Sequence, residues 1–506
     1  MDCVVSVLLS LTILITLLYF LGDLRRRRPN EPPLDTGYLP WFGHVLAFRR
    51  NTAQFLEKMQ NKHGDIFTVK LAGIYVTFLM DPMSFGAVVK SSRTTLDFVK
   101  FAAELVARVF GYETQEDDSK LLSILSNKYL MGDGLADLTQ STMMQLQKLM
   151  LHQAADGDKE WKQDGLFHYS YNIVFRAGYL SLFGTEPAKE GQERATQLDL
   201  ENSDKIFGHF RKYDKLFPRL AYGVLPPKEK LEAERLKKLF WNLFSVQKVR
   251  NREQVNGWIA ERQRQMVDQG TPEDMQSRYL FLLLWASQGN TGPSAFWLLI
   301  HLCHCPQALR AVRAEVDQLL AQSGQRVVAG GPPVNLTLNM LERTPVLDSV
   351  VEETLRLYAA PLLLRAVICD MELAMADGRR YWLRKGDRLG LFPHISMQMD
   401  PEVHPQPHSF QFDRFLAADG TRKTNFYKRG QKLKYYNMPW GAGVSMCPGR
   451  FFATNELKQF IFLMLCYFDF ELLNPQEPIP PIDSTRWGFG SMQPSHDVQF
   501  RYRLRM

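Results

Sequence analysis

Among the residues able to do chemistry, Cys447 has the most telling surroundings. Trp440, Gly443, Cys447 and Gly449 are spaced aromatic-x-x-Gly-x-x-x-Cys-x-Gly in MPWGAGVSMCPGRFFATNELKQFIFLMLCYF, Met438 to Phe468. A thiolate is soft and electron-rich, so it suits haem iron as an axial ligand. The glycines let a loop approach a flat macrocycle. Backbone amides at the start of the apolar helix expected next would offset the sulfur's negative charge. Trp440 is expected to pack beside the sulfur. A buried cysteine in a glycine-rich turn would use the same residues without the chemistry.

Other chemistry-bearing residues lie upstream. Glu353 and Arg356 stand three apart in LDSVVEETLRL and share a helix face; alone, such a pair is an ordinary surface ion pair. In WASQGNTGP, Trp285 to Pro293, the residues Gly289, Asn290, Gly292 and Pro293 interrupt an apolar segment. Poor helix formers at the centre of a buried helix point to a site. Asn290, with Ser287 or Thr291, is expected to hold a water, since an amide is no proton source near neutral pH; the competing reading is that Asn290 only satisfies freed helix carbonyls. Trp285 offers a flat wall and one N–H donor, or simple core packing.

These residues need a frame. GDIFTVKLAGIYVTFLMDP, Gly64 to Pro82, reads as two strands about a turn. A helix is expected from Thr271-Pro272-Glu273 to Cys305, roughly 50 Å long. Ala329 to Val334 is a Gly/Pro-rich separator, followed by a helix over Val346 to Leu357. Strands are expected near Arg380–Leu383 and Asp387–Phe392, with a turn and last strand in Trp487 to Met506. The fold class is mainly α with small sheets.

With these marks in this order, the chain resembles the cytochrome P-450 haem-thiolate family over nearly its whole length. The resemblance implies a haem b held by Cys447, with Trp440, Gly443 and Gly449 in the loop, O2 as co-substrate and NADPH-derived electrons delivered by a reductase. It implies that Arg414, in FQFDRF, joins Glu353 and Arg356 in a buried network and that Arg365 meets a haem propionate. The family's Trp-x-x-x-Arg is missing from Leu121 to Leu138, so no second propionate partner is assigned. Its acid–threonine pair is also missing: Gly289 and Asn290 stand there, putting proton delivery in doubt. Two branches share Gly-Asn, one hydroxylating sterols and one isomerising a prostaglandin endoperoxide. WASQGNTGP, LDSVVEETLRL, GVSMCPGRFFA and MQPSHDV look more like the first. That implies hydroxylation at carbon 12 of a 7α-hydroxy-4-cholesten-3-one type sterol, on the route to cholic acid. By family position, Pro361, Leu362, Leu363, Phe489 and Met492 join Trp285 as pocket walls.

The 506 residues are 45% hydrophobic and 23% charged, close to globular averages. Net charge is +7 and Arg25 to Arg28 supply four positives, so a nucleic-acid partner is not expected. Six unevenly spaced cysteines are no disulfide framework. The uncharged run Cys3 to Leu21, followed by those arginines, reads as a single-pass anchor in the endoplasmic reticulum membrane with the body cytosolic. The expected division is 1–24 anchor, 25–37 basic and proline-rich linker, and 38–506 catalytic domain. Arg422, Lys423, Lys428, Arg429, Lys432 and Lys434 form a basic belt suited to an acidic reductase, or merely a solvated loop.

Overall fold

The Val/Ile/Phe-rich residues near the start build the edge of a sheet. In a computed structural model, which describes residues 2–23, 25–154, 160–328 and 331–505, β1 (Leu34–Asp35) lies parallel to β2 (Ile66–Leu71). β2 turns back antiparallel into β3 (Ile74–Leu79). With β4 (Leu96–Asp97), β5 (Leu363–Val367) and β6 (Arg388–Leu391), the sheet order is β1-β2-β3-β6-β5-β4. A second sheet pairs Gln499–Leu504 with Phe468–Leu472 and with Lys162–Gly165.

Helix α1 (Asp2–Asp23) opens the chain; the helices that position the site are α2 (Leu166–Phe183), α3 (Gln192–Ala221), α4 (Glu273–Gln288), α5 (Thr291–His304), α6 (Pro345–Tyr358) and α7 (Arg450–Tyr467). Helices α2, α5 and α7 are buried on nearly all sides and form the centre of the largest apolar cluster. Such helices are held by packing on every face, where truncating one large apolar side chain costs about 2–5 kcal/mol.

The single helix expected over 271–305 is two. Gly289 and Asn290 separate α4 from α5. Pro293 has no N–H for the carbonyl four residues earlier, that of Gly289; the Tyr171 hydroxyl of α2 donates to it instead, at 3.3 Å. The break is therefore fastened from outside.

The expected amino-terminal membrane span is not seen as such in the structure. Among the described residues no helix is long and apolar enough to cross a membrane. Met1 and Leu24 of the expected anchor, Ala329 and Gly330 of the Gly/Pro-rich separator, and Met506 lie outside the described residues. Residues 25–37 are pinned to the body: Arg25 pairs with Asp387 at 2.5 Å, Arg384 with Glu31, and the Trp382 amide donates to Asn30 O.

Candidate active site

The cysteine loop is shaped by its backbone. Gly443 has φ +66°, and a Cβ there would lie 2.5 Å from Val89 O, so only glycine fits. The Cys447 N–H donates to Trp440 O at 2.9 Å, closing the loop on the tryptophan's main chain. Burial pushes the Cys447 thiol up, while the Gly449 N–H and the charge of Arg450 pull it down. Arg450, first residue of α7, also donates to Cys447 O at 3.1 Å.

Elsewhere in the frame lies a buried ion triad. Arg356 meets Glu353 through two bonds, Nε to Oε2 at 2.7 Å and Nη2 to Oε1 at 2.8 Å; Arg414 Nε reaches Oε2 at 2.9 Å. Remaining guanidinium donors go to the carbonyls of Gln398, Pro407, Pro405 and Ser409. Every charge has partners, which is the condition for tolerating ions in a core.

The α4–α5 break faces the turn at 488–492. Asn290 Oδ1 accepts from the Ser491 N–H at 2.9 Å. It occupies the space over Gly490, where a Cβ would stand 2.3 Å away. Ser294 Oγ meets Ser491 Oγ at 3.0 Å, and Trp297 Nε1 donates to Met492 O at 2.8 Å. Asn290 is thus committed to the turn at its acceptor end. The Ser287 hydroxyl returns to Leu283 O and Leu284 O, and Thr291 Oγ1 lies 3.5 Å from Ser287 O.

An aromatic wall continues from the break. The Trp285 ring stacks on Phe217 of α3 at 4.1 Å, and Phe217 meets Phe489 edge-on at 5.2 Å. The Trp285 indole N–H is buried without a hydrogen-bond partner. Leu362 N donates to Gly488 O, and Pro361 bridges Gly488, so 361–362 and the turn form one surface. Leu363 starts β5, and Met492 is fully buried. A network not evident in the sequence holds this turn to α3: Asp214 Oδ1 accepts from Arg486 at 3.0 Å, and Oδ2 from Gln493 at 2.7 Å and Arg211 at 3.0 Å. Burial opposes ionisation of Asp214, but Arg486 and Arg211 hold its carboxyl below the usual range.

These residues fit a haem. Cys447 offers a half-buried sulfur whose charge is already met by an N–H and an arginine. Arg365, on β5, is 8% exposed, has no ion pair among the described residues, and donates only to its neighbour Leu364 O at 2.8 Å. A buried guanidinium lacking an anion suits a propionate.

The basic belt is more paired than its sequence suggests. Arg422 meets Glu352 at 2.5 Å, Lys428 pairs with Asp400, and Arg429 approaches Asp65 and Asp81 at 3.6 and 3.7 Å. Lys423, Lys432 and Lys434 have no ion pair among the described residues: Lys432 donates to Asn425 Oδ1, while the other two lie over Phe426 and Tyr435.

A thiol loop, a buried Glu–Arg–Arg triad and a broken helix over an aromatic wall are held by one helical frame. The chain belongs to the cytochrome P450 family, whose model matches residues 32–500. Membership implies haem, O2, a substrate and electrons from a redox partner. Among relatives, the 5-beta-cholestane-3-alpha,7-alpha-diol 12-alpha-hydroxylase of Sus scrofa and the 7-alpha-hydroxycholest-4-en-3-one 12-alpha-hydroxylase of Homo sapiens are each 49% identical over 486 residues, 96% of this chain and 95% of theirs. Prostacyclin synthase of Homo sapiens is 43% identical over 95% of both chains. The solved structure of retinoic acid bound cyanobacterial CYP120A1 superposes with TM-score 0.70 at 20% identity, covering 94% of this chain and all of that one.

Proposed function

We propose that this chain is a membrane-associated sterol 12α-hydroxylase, acting on substrates of the 7α-hydroxycholest-4-en-3-one type in cholic acid synthesis and taking NADPH-derived electrons from a reductase. The observation that carries the reading is the 49% identity, over 96% of the chain, with proteins named for that reaction. The endoperoxide isomerase reading rests on 43% identity with prostacyclin synthase.

The haem, when bound, supplies the oxygen-activating chemistry. Cys447 would hold it, with Gly449 N–H and Arg450 steadying the sulfur's charge, and Arg365 would bind a propionate. Trp285, Phe217 and Phe489 give the sterol skeleton a flat apolar surface that excludes water. The unpartnered Trp285 N–H is a donor for a sterol oxygen. Asn290, engaged at Oδ1, keeps its Nδ2 for a water at the break, and the committed Ser287 hydroxyl has little left to offer. The apolar run Cys3 to Leu21 supports a single-pass endoplasmic reticulum anchor preceding the catalytic domain. The exposed Tyr38, Leu39, Trp41, Phe42, Leu46 and Val224 support contact of the body with the same membrane.

Purified protein with reductase and NADPH should convert a 7α-hydroxylated sterol to a product one oxygen heavier, resolved by mass spectrometry. Conversion of a prostaglandin endoperoxide without electrons, and no sterol product, would replace this reading with the isomerase.

A further inference from the structure

Gly289 and Asn290, the two residues of the break, are joined outside their own helices by a closed ring of contacts. The first link is Tyr171 of α2, fully buried, whose hydroxyl donates to Gly289 O at 3.3 Å. Its ring lies against the backbone of Gly292, where a Cβ would stand 1.9 Å from Tyr171 Cδ2, so no side chain fits there. Arg211 of α3 covers that ring: its guanidinium carbon is 4.6 Å from the Tyr171 centroid and 4.9 Å from that of Phe167. Arg211 in turn donates to Asp214 Oδ2 at 3.0 Å and to Gln493 Oε1 at 3.2 Å. Arg486 and Gln493 tie Asp214 to the turn, and the Ser491 N–H closes the ring on Asn290 Oδ1. The same segment also fixes the start of α2, since Asp497 accepts from the N–H groups of Phe167 and His168 at 2.7 and 3.0 Å.

Each link has a physical task. Pro293 brings no N–H to Gly289 O, and a buried carbonyl left bare is costly, so the peptide between 289 and 290 turns toward whatever donor stands nearby. Burial pushes the Tyr171 hydroxyl well above the usual tyrosine range, so it remains that donor throughout the working pH range. A guanidinium over an aromatic face is attracted by the ring's electrons, and this one is already anchored by a fully buried carboxylate. The ring is therefore clamped between Arg211 and Gly292, with its hydroxyl aimed at the break. A pinned 289–290 peptide lets Asn290 reach Ser491 with Oδ1 and leaves its Nδ2 for a water.

We propose that Tyr171 and Arg211 are positioning residues of the reaction: Tyr171 sets the Gly289–Asn290 peptide, and with it the Asn290 amide, while Arg211 locks Tyr171 to the turn that carries the aromatic wall. Oxygen use stays tied to product only while this ring of contacts is closed. The inference rests on the monooxygenase reading. Neither residue is catalytic; both act through Asn290. Phe217, three residues beyond Asp214 on α3, stacks on Trp285 and meets Phe489, so the helix that holds Arg211 is also the one a sterol on the wall would press.

Tyr171→Phe keeps the ring and removes only the hydroxyl. In the resting holoenzyme, amide hydrogen exchange across the break should quicken about fivefold in this variant, and Arg211→Gln should quicken the same segment. Unchanged exchange in Tyr171→Phe overturns the proposal without any turnover. With reductase, NADPH and a 7α-hydroxylated sterol, both variants should release roughly threefold or more hydrogen peroxide per product, with the sterol KM unchanged. Adding Pro293→Ala separates positioning from mere support. It returns an N–H to Gly289 O from within the helix, so Tyr171→Phe with Pro293→Ala should regain the Tm that Tyr171→Phe loses. Peroxide release should nevertheless persist, because the carbonyl is drawn back into the helix and the break closes. Recovery of both Tm and coupling, or an unchanged partition in Tyr171→Phe, makes Tyr171 a prop and overturns the proposal. If the unmodified protein yields no oxygenated sterol while Tyr171→Phe still quickens exchange, the function reading falls instead and the fastening of the break stands.

Discussion

The two sides of the site are built on opposite rules. Around Glu353, Arg356 and Arg414 every charged group is bonded, and even the spare guanidinium donors end on carbonyls. Around the α4–α5 break, the Trp285 N–H, Gln288 Oε1 and both Glu456 oxygens are unpartnered although buried. A saturated region has nothing left to offer a newcomer and serves as foundation. A region with unmet donors and acceptors has stability withheld, and a ligand, a water or a proton recovers it.

The sharpest break in this contrast comes at its boundary, Cys447. Cys447→Ala should abolish the thiolate-type absorption of the reduced carbon monoxide complex and all sterol turnover; a retained band would refute the assignment. On the saturated side, Glu353→Ala strands two buried arginines and should cost about 3–5 kcal/mol, read as a lower denaturation midpoint and poor haem retention. On the unsaturated side, Trp285→Phe keeps a ring on Phe217 but removes the free N–H together with part of the indole. Stability should fall modestly, while sterol affinity falls by about 1 kcal/mol, roughly fivefold. An unaltered KM would assign Trp285 to packing alone. Smallest is the surface: Lys423→Ala with Lys434→Ala should raise the reductase KM and flatten its salt dependence, whereas Arg422→Ala, whose charge is already met by Glu352, should do less.

Much of the frame was legible because it follows from local pattern. The hairpin at 66–79, the helix carrying Glu353 and Arg356, and the apolar helix after Cys447 need only periodicity and a turn to be read. The failures have physical causes. Poor helix formers at 289–293 announce a disturbance, but whether a helix bends or divides depends on what replaces the lost bond, and here that is Tyr171, over a hundred residues away. Asn290 reads as a water holder from its type alone; its bond to Ser491 is a tertiary fact. The belt near 422–434 looks free because Glu352, Asp400, Asp65 and Asp81 lie elsewhere in the chain. Glu456 did leave a mark, an acid inside the apolar helix α7, where burial of a charge asks for an explanation. Asp214 and Arg486 are separated by 272 positions, and no spacing rule links them.

The turn at 486–493 is tied from two directions, by Asn290, Ser294 and Trp297 on one flank and by Asp214 on the other. A guest that needed the turn to swing aside would rupture several of these ties at once, at about 1 kcal/mol each and more for those to the carboxylate. Molecules are therefore sorted here by outline, as by a template, and a change in preferred guest is more easily reached by resizing single wall residues such as Phe489 than by loosening the turn that carries them.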